Sequence, residues 1–163
     1  MTKLSPLFKG LITGVAMVVT TILMLVTKQN ADGPSAYIIY GLYALGVIWT
    51  LYDYARAESY QHKFGAIFGQ GFRCFIIITL VMVIFTGIYS KANPQMGKQS
   101  AEMYRQDLVK KKNMLPADID KNVAQYQDNF TASLVSTAIF GYLVVGVFFT
   151  AAGAAFLLIR RKN

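Results

Sequence analysis

Apolar residues in this chain gather into four long stretches without charge, separated by two short polar links and one long one. The first covers residues 10–27 (GLITGVAMVVTTILMLVT), eighteen positions. At 1.5 Å per residue a helix of that length reaches about 27 Å, close to the hydrocarbon thickness of a bilayer. The second runs over 36–52. The third opens as a mixed, amphipathic lead-in over 64–73 and continues uncharged to Tyr89, which places a span at 72–89. The last stretch, 130–159, is thirty residues and at about 45 Å exceeds the hydrocarbon core. Its span is therefore placed at 133–159, with Ser133, Ser136 and Thr137 in or beyond the interface. Backbone amides in hydrocarbon must bond within their own helix. The pattern thus predicts an all-α, four-transmembrane-helix bundle, one integral membrane domain over 1–163.

The links carry their own signals. Gly33-Pro34 marks a turn that returns the second span antiparallel to the first. Residues 91–129 form the one substantial hydrophilic segment and are expected to be helical and extramembrane. A helix is predicted over 100–113, capped by Ser100, with Lys110, Lys111 and Lys112 at its C-terminal end, where cations oppose the dipole. Ala101, Tyr104, Leu108 and Leu115 trace one side of it. Pro116 breaks that helix and opens another, with Asp118 and Asp120 in the favoured first turn. There Ile119, Val123, Tyr126 and Phe130 recur at helical spacing straight into the last span. The first span, despite its basic start, is expected to be retained. Its core exceeds the 7–15 residues of a signal peptide and no small-x-small site follows.

Charge changes the picture in one respect. Sixteen Lys and Arg stand against eight Asp and Glu, a net charge of +8, yet charged residues make up only 15% of the chain. The cations flank the apolar runs, with Lys3 and Lys9 before the first and Lys28 after it. In that position they meet anionic headgroups and set orientation. Arg56, Lys63, Arg73, Arg160, Arg161 and Lys162 are the candidate headgroup-contacting residues. No basic stripe with interleaved aromatics lies outside the spans, so nucleic acid is not an expected partner. Four spans put both termini on one side. Basic residues tie at eight a side, but those nearest the span ends, above all Arg160 to Lys162, favour termini in the cytoplasm.

Small residues suggest where helices touch. Gly10 and Gly14, and Gly65 and Gly69, have the GxxxG spacing that lets two backbones approach closely, and Gly141 with Gly146 offers a similar thin place. These six are the candidate helix-contact residues, for packing within the chain first and for a dimer or partner interface second. Tyr43, near the middle of its span, needs a hydroxyl partner on another helix. Candidate chemistry is sparse. One cysteine, Cys74, precludes an intrachain disulfide, and one histidine, His62, leaves no zinc spacing. No ionisable residue stands at mid-span, as an ion-coupled transporter usually requires. Gly69-Gln70-Gly71 lacks the following Lys-Ser/Thr of a phosphate loop. The chain is therefore expected to be non-enzymatic, without cofactor or metal.

Taken in order, several features resemble the bacterial membrane family called domain of unknown function 4199. They are Lys9-Gly10-Leu11-Ile12-Thr13-Gly14, the stretch Phe68 to Arg73 (FGQGFR), Glu102-Met103 with Ile119-Asp120-Lys121, and a last span ending in a basic tail. The similarity covers nearly the whole chain. It departs at Cys74-Phe75 and in a Tyr-rich second span. The resemblance implies the same four-span architecture and no established activity. Relatives encoded beside a membrane-associated glycosyltransferase further imply an accessory role in envelope glycan or lipid metabolism. The function expected is a non-catalytic accessory or scaffold subunit bound to another membrane protein or to itself. The alternative is a small oligomeric channel or lipid-handling transporter with a lumen lined by threonines and Tyr43.

Overall fold

The computed structural model describes residues 4–27, 36–110 and 115–160. Five helices make up these residues: α1 (Pro6–Val26), α2 (Ala36–Ala55), α3 (Phe64–Ala92), α4 (Pro94–Lys110) and α5 (Pro116–Arg160). Four of them, all but α4, are long and apolar enough to cross a membrane. Leu23, Val26, Ile88, Phe140, Phe148 and Phe156 are all more than half exposed. A water-soluble monomer rarely leaves so many large apolar side chains bare. In a bilayer the same residues face acyl chains, and the protein is read as a multi-pass membrane protein.

Helix boundaries depart from the charge-free stretches in instructive ways. Helix α1 begins at Pro6, where Ser5 caps it by accepting from the Phe8 amide at 3.3 Å. A serine cap with proline in the first turn starts a helix whatever charge follows, so Lys9 is helical. Helix α2 continues three residues past Tyr52, which brings Asp53 into its last turn. The lead-in and third span are one helix of 29 residues. Helix α4 starts at Pro94, not after Ser100. Asn93 ends α3 with its side chain on the Tyr89 carbonyl, and its own carbonyl receives the Met96 amide, both at 3.0 Å. Ser100 is thus interior to the helix. Leu115 stands just before α5 and is 71% exposed, outside the helix whose side it was expected to trace with Ala101, Tyr104 and Leu108. Helix α5 is one element of 45 residues, about 68 Å long. The stripe that enters the last span from Ile119 is thus continuous helix. Gly33-Pro34, Lys111 and Lys112 lie outside the described residues.

Two compact units divide the chain, the first from residues 1–82 and 139–163, the second from 83–138. In the first, Met17, Tyr43, Val47, Phe75, Ile78 and Met82 form the buried core. The Tyr43 hydroxyl finds its partner on another helix and donates to the Tyr142 carbonyl of α5 at 2.9 Å. Thr20, Thr21 and Thr50 instead donate to carbonyls four residues back on their own helices. In the second unit Tyr104 of α4 stacks on Tyr126 of α5, ring centroids 4.7 Å apart. Arg105 pairs there with Asp120, and the Ser90 and Thr131 hydroxyls share a hydrogen bond of 3.0 Å.

Candidate functional site

Among the described residues the first unit gathers its charged groups at one end, where α1 and α3 begin and α2 and α5 finish. Lys9, expected to meet headgroups, is instead 3% exposed and paired with Asp53, whose side chain is 35% exposed. Each charge stands at the helix end that disfavours it, a cation in the first turn of α1 and an anion in the last turn of α2. Their mutual attraction must therefore outweigh both dipole terms. The Lys9 ammonium also lies 5.4 Å from the Trp49 ring centroid, in cation–π range. A cavity of about 220 Å³ opens beside the pair, lined among others by Ser5, Thr50, Tyr54 and Gln70.

Sequence reading missed this pair because both residues served as markers of where spans stop. The signal was present. Lys9 precedes the first stretch by one residue, Asp53 follows the second by one, and antiparallel spans bring those two ends together.

Next to this cavity a groove of about 280 Å³ runs between Tyr54, Ser59 and the start of α3, lined there by Gly65, Gly69, Gln70 and Arg73. A third hollow, about 290 Å³, is bounded by Tyr52, Ala55, Arg56, Leu157 and Arg160. Of the candidate headgroup residues, Arg56 and Arg160 thus share one cleft, while Arg73 lines another and Lys63 is exposed near it. Arg161 and Lys162 lie outside the described residues. His62 is exposed, and its Nε2–H donates to the Leu158 carbonyl at 3.1 Å. That carbonyl belongs to the last turn of α5, which has no helical donor of its own. The histidine therefore ties the link before α3 to the end of α5. Among the described residues no group of three or more His, Cys, Asp or Glu is placed to hold a metal ion.

The candidate glycines divide into two sets. A Cβ added at Gly10 would stand 2.5 Å from the Cys74 carbonyl oxygen, and one at Gly14 would stand 3.0 Å from Val81. The Gly10–Gly14 strip is therefore the seam between α1 and α3. At Gly146 an added Cβ would strike the Tyr43 hydroxyl and the Phe75 ring, so the bond from Tyr43 to Tyr142 depends on that bare backbone. Gly46 and Gly71 are closed by Thr13 and Thr150 in the same way. Gly65, Gly69 and Gly141 meet nothing within 4 Å among the described residues.

The family model for a protein of unknown function, DUF4199, matches residues 9–158. The chain belongs to that family. No curated protein and no solved structure matches it. The DUF4199 match begins at the buried Lys9 and ends at Leu158, whose carbonyl His62 holds, and so takes in Asp53 and every glycine seam. Arg160 lies two residues beyond it.

Proposed function

We propose that this DUF4199 protein is a non-catalytic, multi-pass subunit of the bacterial inner membrane that binds another membrane protein along the Gly65–Gly69 face of α3. The carrying observation is the contrast between its two GxxxG strips. Gly10 and Gly14 are taken up by α3, whereas Gly65 and Gly69 have nothing within 4 Å among the described residues and border an open groove. A strip of bare backbone on a membrane helix is where a second helix packs most closely. Gln70 and Arg73 beside it supply polar contacts for that helix. Arg56, Lys63, Arg73 and Arg160 cluster at the end of the unit where α1 starts, and the positive-inside rule assigns that end, with both termini, to the cytoplasm. The partner class that fits the family resemblance is a membrane-associated glycosyltransferase. The channel or transporter reading has less support, because Tyr43, Phe75 and Ile78 fill the interior and Thr50 spends its hydroxyl on its own backbone.

A photocrosslinking residue in place of Phe72, one turn beyond Gly69, tests this in intact cells. The expected result is one discrete adduct with a different protein, lost in Gly65→Leu/Gly69→Leu while the variant's thermal unfolding in detergent stays unchanged. No adduct, an adduct of twice the chain's mass, or an adduct that survives the double substitution overturns the reading.

A further inference from the structure

The cleft between the ends of α2 and α5 carries a different chemistry from the Gly65–Gly69 groove, and either can exist without the other. We propose that Arg56 and Arg160 form a two-pronged clamp for the phosphate of an anionic phospholipid headgroup. Two guanidinium groups line the same hollow of about 290 Å³, one from the residue after α2 and one from the last residue of α5. Arg56 is held in place by the Tyr52 ring, with its guanidinium carbon 4.3 Å from the ring centroid. Stacking engages the guanidinium face, whereas phosphate oxygens are taken at its N–H edge, so both interactions hold at once. The negative ends of the α2 and α5 dipoles keep both cations at this position.

The walls decide between a lipid and a free phosphate ion. Among the described residues the rest of the cleft is Tyr52, Ala55 and Leu157, a mainly apolar wall that suits glycerol and acyl carbons better than a dissolved ion. A phospholipid presents a phosphate with glycerol and acyl carbons directly beneath it, and that sequence of polar then apolar groups matches the arginines and the walls in order. The cleft also lies at the ends of two apolar spans, where headgroups are. Phosphate charge and arginine charge are complementary, and each bidentate contact adds geometric selectivity that a lysine lacks.

The test is titration of the full chain in detergent with short-chain phosphatidylglycerol, phosphatidylcholine or inorganic phosphate, read by native mass spectrometry. Phosphatidylglycerol is expected to bind about ten-fold more tightly than phosphatidylcholine, and Arg56→Gln and Arg160→Gln each to weaken it about ten-fold, as loss of one charge-assisted contact predicts. Lys98→Gln/Lys121→Gln, which removes two exposed charges from the second unit, is expected to leave binding unchanged. Arg56→Lys/Arg160→Lys, which keeps the charge and removes the fork, is expected to bind at an intermediate level, and thermal unfolding without lipid reports whether each variant is folded. Three results would each overturn the clamp. They are equal binding of the two lipids, unaltered binding by folded Arg56→Gln/Arg160→Gln, and displacement of phosphatidylglycerol by equimolar inorganic phosphate, which would make the site one for the free ion.

Discussion

In residues 1–82 and 139–163 helices meet where one of them has no side chain, as Gly10 and Gly14 do against α3 or Gly146 against Tyr43, and the charged pair among them is almost wholly sheltered on its lysine side. In residues 83–138 glycine contacts are joined by rings and surface charge. Tyr104 stacks on Tyr126, Phe130 covers Gly97, and Arg105 reaches Asp120 with both side chains largely exposed. The change follows the surroundings that composition assigns to the apolar spans and to the polar stretch 91–129. Lipid tails are as apolar as leucine, so helices in a bilayer gain little by hiding apolar area from the solvent and associate through close backbone approach and polar contacts. A polar segment in water regains the hydrophobic term, and stacked aromatics become an effective closure.

The strongest way to break this comparison is through the sheltered pair. Asp53→Asn leaves the Lys9 charge without its counterion at a site that is 3% exposed. A loss of about 3 kcal/mol is expected, the low end for orphaning a buried charge. Lys9→Met leaves a carboxylate still about a third exposed, which water can solvate, and should cost nearer 1 kcal/mol. The double variant should then fall close to Lys9→Met alone. Equilibrium unfolding in detergent measures all three, and equal losses for the two single variants would show that the asymmetry of burial is not what governs the pair.

A smaller effect sharpens the glycine contrast within one helix. Gly146→Leu has to displace the Tyr43 hydroxyl and the Phe75 ring, at a cost of about 2–3 kcal/mol by the usual scale of overpacking. Gly141→Leu, five residues earlier and with nothing inside 4 Å, should be neutral, or stabilising by up to about 0.8 kcal/mol from helix propensity. Thermal unfolding of the two variants side by side checks this, and matched losses would mean that α5 does not distinguish the two positions.

Much of the architecture was legible because hydrocarbon tolerates so little charge. Four uncharged stretches of sufficient reach became four long apolar helices, and the periodic stripe from Ile119 correctly joined the polar segment to the last of them. Boundaries were less legible when charge alone set them. The Ser5-Pro6 start and the run of α2 through Asp53 are local capping and propagation effects, and both carried a charge inside a helix whose span was expected to stop short of it. Pro94 in the same way opens α4 before the more conspicuous Ser100. Glycine spacing showed where close packing was possible. Which strip was used depended on the face each helix turns inward, a property of the whole bundle that no short window contains. The joining of Lys9 to Asp53, 44 positions apart, lay beyond local pattern for the same reason.

The smallest effects belong to residues 83–138. Tyr104→Ala removes a stacked ring and should cost about 1 kcal/mol, in the range of an aromatic pair. Arg105→Ala removes one partner of an ion pair whose side chains are 46% and 62% exposed, and water already solvates both ends. Its cost should stay under about 0.5 kcal/mol and fade further as salt rises through a few hundred millimolar. Asp53→Asn, by contrast, should keep nearly its full effect at the same salt, because ions cannot approach a lysine closed off from solvent. The decisive measurement is thus the salt dependence of the two losses, read by unfolding in detergent at two ionic strengths. If Arg105→Ala proved as costly and as indifferent to salt as Asp53→Asn, the hairpin of α4 and α5 would be a sheltered environment too, and the distinction between the two regions would have to be drawn on packing alone.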